Sequence, residues 1–185
     1  MSSSKVFLAC CLLAVLLTAS LSASVVVPAE INALVADAQA IVHGRVVHLQ
    51  GRASGDGLGI ETLVTIEAES YLKGDLGRDV TFVVVGGQFG RYRSVVSGAP
   101  QFAEGQEVVL FLGAKAPALP HVIRMSQGAF RVSVDSRTGA RTIRRQPLAG
   151  QTATWQKVQR GKGPADGLSL QAFGALVRTA MEKGR

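Results

Sequence analysis

Between Ile60 and Leu72 the chain alternates. Ile60, Thr62, Val64, Ile66, Ala68, Ser70 and Leu72 share one parity, and Glu61, Thr65, Glu67 and Glu69 share the other. A period of two is the mark of a strand with one buried and one wet face. The turn residues Lys73-Gly74-Asp75 close it. Upstream, Ile31, Leu34, Val35 and Ala38 recur at helical spacing after Pro28 and Glu30, which predicts a short helix over Pro28–Ala38. Ala40–Leu49 reads as a strand, followed by a glycine-rich loop from Gly51 to Gly59. Asp79–Val85 is apolar on both parities, which predicts a central strand, and Gly86-Gly87 should break or bend it.

The second half continues in short strands. Tyr92–Val96 is a possible short strand within an irregular stretch, and Glu107–Leu112 is apolar enough for deep burial. His121–Met125 and Ala129–Asp135 are expected strands, the latter joined to Ala140–Gln146 through the turn Ser136-Arg-Thr-Gly139. The polar stretch 147–167, with Trp155, reads as a linker. A terminal helix over Ser169–Lys183 carries Leu170, Phe173, Val177 and Met181 as a stripe, with Asp166 or Ser169 placed to cap it. The expected class is therefore mainly β: a small OB-like β-barrel with a short N-terminal helix and an amphipathic C-terminal helix, with a sandwich as the alternative.

The first residues carry a different signal. Lys5, the apolar run Val6–Leu17 and the small residues Thr18–Ser24 form the three parts of a secretory signal peptide. The chain then divides into 1–24, a cleaved signal peptide; 25–146, the barrel; 147–167, the linker; and 168–185, a helix docked on the barrel. Export to the periplasm or beyond is the expectation. Cleavage would remove Cys10 and Cys11, both cysteines of the chain. The remainder cannot use disulfides or thiolate chemistry. No later stretch is apolar enough for a transmembrane helix.

Charge is uneven. Residues 25–120 carry 7 basic and 10 acidic side chains, net −3, whereas residues 121–185 carry 12 basic and 3 acidic, net +9. Such a surface either keeps the protein soluble or contacts an anionic envelope polymer, a membrane surface or nucleic acid. Arg141, Arg144 and Arg145 are the candidate contacts, with Arg141 and Arg145 on one face of their strand and Arg144 on the other. Interleaved aromatics are too few for a specific nucleic-acid signal.

Candidate chemistry is sparse. His43 and His48 lie five apart, on opposite faces of a regular strand, and do not jointly chelate a metal. Glu67 and Glu69 share a face closely enough to hold a cation, but that face is the wet one. Gly55–Gly59 and Gly86–Gly90 lack the lysine-serine tail of a phosphate-binding loop and read as a loop and a bend. No Gly-x-Ser-x-Gly elbow is present. No catalytic residue, metal ligand or cofactor is assigned.

Three strings together resemble a known layout: Asp37–Val47, then Glu67-Ala-Glu-Ser-Tyr-Leu-Lys-Gly-Asp75, then Val96–Leu112, with Gln127–Val132 following. They resemble a group of uncharacterised exported bacterial proteins. More distantly, they are similar to the OB-fold barrel of tissue inhibitors of metalloproteinases and netrin-like modules. The resemblance implies a barrel and an exported binding role. Those inhibitors chelate zinc through an N-terminal cysteine, which the processed chain lacks, so no inhibitory residue carries over. The expectation is a non-catalytic binding or accessory module with an undefined protein or anionic-polymer partner. The rivals are a polyanion binder and an unrecognised hydrolase.

Overall fold

The computed structural model describes residues 30–55, 57–114, 117–146 and 165–184. The expected signal peptide, Trp155 and most of the expected linker lie outside them. Strands dominate the rest, with one helix near each end. Helix α1 is Ile31–Asp37 and helix α2 is Leu170–Lys183. The long strands β1 (Ala40–Ala53) and β2 (Ile60–Lys73) lead into β3 (Asp79–Val85), the ribbon strands β4 (Gly87–Phe89) and β5 (Tyr92–Ser94), then β6 (Glu107–Gly113). β7 (His121–Val122), β8 (Ala129–Val134) and β9 (Arg141–Arg145) follow.

β1 pairs antiparallel with both β2 and β6. β2 pairs with β3, β3 runs parallel to β7 at Val83 and His121, and β7 pairs with β6. The pairings β1–β2–β3–β7–β6 thus return to β1, while β8 and β9 continue from β6. β4 and β5 form a separate two-stranded ribbon. Register shifts between Ile41 and Val42, His43 and Gly44, and Val46 and His48 interrupt β1. Such bulges bend and twist a strand, and β1 needs that bend to serve two neighbours.

The alternation in the strands sorts the core into two layers. Val42, Val46, Val64, Ile66, Phe82, Val108 and Leu110 pack strand against strand. Ile41, Val109, Phe111, Phe130 and Ile143 face the helices and meet Leu34 of α1 and Phe173 and Val177 of α2. β6 is buried along its whole length because it serves both layers. The seat of α2 is aromatic: the Phe173 ring lies 5.1 Å from that of Phe130 and 6.3 Å from that of Phe111. Ser169 caps α2, its Oγ accepting from the Ala172 N–H. Asp166 instead accepts from the Arg145 N–H and ties the approach to the helix onto β9.

The elements depart from the sequence reading in three places. β1 runs on to Ala53, taking residues expected in the glycine loop. Gly51 is needed there because a Cβ would lie 1.8 Å from the Gln88 carbonyl oxygen of β4. β3 is not buried on both faces: it alternates, and Val85 is 48% exposed. It pairs fully only with β2, and the helices cover β6 and β8 instead. The strand expected over His121–Met125 stops at Val122. Arg124 and Met125 adopt left-handed backbone (φ 50° and 58°), and the chain enters a 3-10 turn, Met125–Gly128. An ion pair from Arg124 to Asp37 of α1 braces that turn. The β8–β9 turn forms where expected. Asp135 accepts from the backbone N–H groups of Thr138 and Arg137, which hold its carboxyl below the ordinary carboxylate range.

Candidate functional site

Two features combine polar groups with burial: a charged cluster at the margin of the helix-covered layer, and a cleft at the opposite reach of β1. The first arises from how β1 is paired, the second from the bend at the end of β3.

The β1–β6 register sets His43 against Val109 and Arg45 against Glu107. Glu107 opens β6 on the parity of Val109 and Phe111, so its carboxylate points where the helix cover ends. It is buried, as is His43. The His43 Nε2–H donates to Glu107 Oε1 at 2.8 Å, because a carboxylate can only accept. Glu69 Oε2 stands 3.6 Å from the other ring nitrogen. Arg141 of β9 reaches Glu107 at 3.2 Å and Glu69 at 3.9 Å, and Arg45 reaches the same two acids at 3.9 and 3.6 Å.

His43, Glu69 and Glu107 present ligand atoms within 4.8 Å of one another, the donor set of a divalent-cation site. The surrounding charges argue for another role. The carboxylates approach opposite nitrogens of one ring, and two guanidinium groups already neutralise them. A cation would have to displace Arg45 and Arg141. The cluster is therefore a charge-balanced ion network that closes the end of a hydrophobic layer. The convergence of its members was hidden from sequence reading because His43 and Glu107 are 64 residues apart. A single carboxylate opening an apolar run, as Glu107 does, was the available signal.

The cleft lies where β3 gives way to the β4–β5 ribbon. Gly86 and Gly87 have φ of 87° and 126°, so the chain folds back at the end of β3. A Cβ on Gly87 would lie 2.0 Å from Thr62 Oγ1, and the Thr62 hydroxyl donates to the Gly86 carbonyl at 2.8 Å. The glycine run is thus a bend, and it leaves a hollow of about 430 Å³. Leu49, Thr62, Val64 and Val84 form one wall, and Ser94, Val95 and Val96 another. Ala99 and Phe102 also line it, the Phe102 ring packing edge-on to Phe82 at 5.4 Å. Arg93 is the only charged residue in the lining. Val85 and Val95, at the rim, are 48% and 57% exposed. A second hollow of about 530 Å³ lies against the helix ends and Lys73. The Lys73 ammonium there is already donated to the Val35 carbonyl at 2.7 Å.

The remaining sequence candidates disperse. Arg141 is drawn into the acidic pair. Arg145 lies over the Phe130 ring, its guanidinium carbon 5.4 Å from the centroid, while Arg144 is exposed. The three arginines do not converge on one surface. Glu67 pairs with Arg78 and Glu69 turns to the His43 cluster, so these two acids serve different partners. The His48 ring stands 3.7 Å from Glu104, both exposed, and His121 is exposed on β7. Arg91 rests on the Tyr92 ring at the ribbon tip, 5.1 Å from its centroid. Among the described residues no helix is long and apolar enough to cross a membrane. No family model, curated protein or solved structure matches this chain.

Proposed function

We propose that this chain is an exported, non-catalytic binding module on an OB-like β-barrel, and that the cleft beside the β4–β5 ribbon is its binding surface. The five-strand circuit of pairings, with its single parallel step, supports the barrel. The opening residues support export. The cleft itself carries the binding reading: a preformed hollow lined by apolar side chains together with Thr62, Gln88, Arg93, Ser94 and Gln101, of a size common in small-molecule sites. Val85 and Val95 stand exposed at its rim.

Two measurements test the proposal. The uncharged fluorescent probe N-phenyl-1-naphthylamine should bind the purified protein. Replacing Val85 and Val95 together by lysine should abolish the signal without lowering the melting temperature, since both side chains are largely exposed. Unchanged probe binding in that variant would remove the cleft from consideration. N-terminal sequencing of protein recovered from the periplasm or medium should find the first residue between Ala19 and Val25; Met1 on the exported form would end the signal-peptide reading.

A further inference from the structure

We propose that the cleft receives an aliphatic chain ending in a carboxylate, with the carboxylate on the Arg93 guanidinium. This rests on the binding role of the cleft and adds its ligand class. The lining combines apolar side chains with the uncharged polar groups of Thr62, Gln88, Ser94 and Gln101 and that one arginine. No acidic residue occurs from Val80 to Ala103, the segment that supplies most of the walls, while Arg91 and Arg93 both lie within it. The one charge in the lining is therefore a cation, set beside a hydrophobic surface. A chain with an anionic head complements it, and one with a cationic head is repelled.

Arg93 shares with Arg131, Arg137, Arg144 and Arg178 the lack of an ion pair among the described residues, but of these it alone lines the cleft. Arg45, Arg52, Arg78, Arg124 and Arg141 each hold a carboxylate. Arg91 is occupied by Tyr92, donating to its hydroxyl at 2.9 Å. The Arg93 side chain makes no hydrogen bond or ion pair among the described residues, and it lines the cleft with its planar fork of donors unspent. It sits on β5 opposite Gln88 of β4, whose amide N–H donates to the Gly90 carbonyl at 3.4 Å. A guanidinium suits a carboxylate because two parallel N–H bonds match two oxygens. The apolar walls formed by Leu49, Val64, Val84 and Phe102 leave the remainder of the ligand to be hydrocarbon.

The test is displacement of N-phenyl-1-naphthylamine from the purified protein by decanoate, decan-1-ol and decyltrimethylammonium, each below its micellar concentration. Decanoate should displace the probe at about tenfold lower concentration than the alcohol, the scale of one charge-assisted hydrogen bond. The cation should be the weakest. Arg93→Met, which keeps an apolar stem and loses the charge, should bring decanoate to the level of the alcohol and leave the alcohol unchanged. Equal displacement by acid and alcohol in the wild type would overturn the carboxylate assignment and leave the cleft standing. So would an acid preference that survives Arg93→Met. Probe binding that none of the three ligands displaces would overturn the aliphatic class. Absence of probe binding at all would instead overturn the cleft as a binding surface.

Discussion

Replacing Phe173 with alanine should destabilise the protein by about 3–5 kcal/mol, measured by urea unfolding. Phe173 is fully buried and is the main anchor of α2 on the strands. Its ring touches two others, Phe111 and Phe130, which themselves lie 5.7 Å apart. Removing it leaves a ring-sized void between helix and sheet, and the flanking strands cannot collapse into it because β6 is packed on its other face as well. The effect should exceed that of Met181→Ala, which removes a partly exposed side chain from the edge of the same stripe. A loss below about 1 kcal/mol for Phe173→Ala would mean that α2 is not held by this contact.

Glu107→Leu should be comparably costly, about 3–5 kcal/mol, because it breaks a buried pair and strands its partners. The Glu107 side chain is only 5% exposed, and its loss leaves His43 without its acceptor and Arg141 without its nearest acid. Glu69→Gln should cost less than about 1 kcal/mol, since that carboxylate is 36% exposed and its ion pairs are longer and screened by water. Both substitutions remove one negative charge from the same cluster, one at a buried position and one at a partly exposed position. Combining Glu107→Leu with Arg141→Met should recover part of the loss, as expected for coupled neighbours. Strict additivity of the pair would show that Arg141 does not stabilise Glu107.

Local pattern was informative where one element needs no neighbour to declare itself. The alternation from Ile60 to Leu72 marked β2, and Val64 and Ile66 are its buried residues. The Phe173–Val177 spacing marked α2, and the apolar run after Glu107 marked β6. The same reasoning rightly placed β3 inside the sheet but missed the burial of its faces, because an apolar composition does not say which face a neighbour covers. It failed at Ile123–Met125 because the bend there is held by contacts to Gly98 and Asp37 that are distant in sequence.

The sequence by itself determined the mainly β class, the helix near each end and the uneven charge, because strand and helix periods and turn residues act over a few positions. Only the tertiary structure decided which charges meet. His43 joins Glu107 through the β1–β6 register, Arg141 arrives from the far end of the sheet, and the bend at Gly86-Gly87 brings Arg93 to the cleft. Those outcomes depend on strand order, bulges and long-range pairing. The period-two alternation says which residues share a face of a strand; it does not say which strand that face will meet.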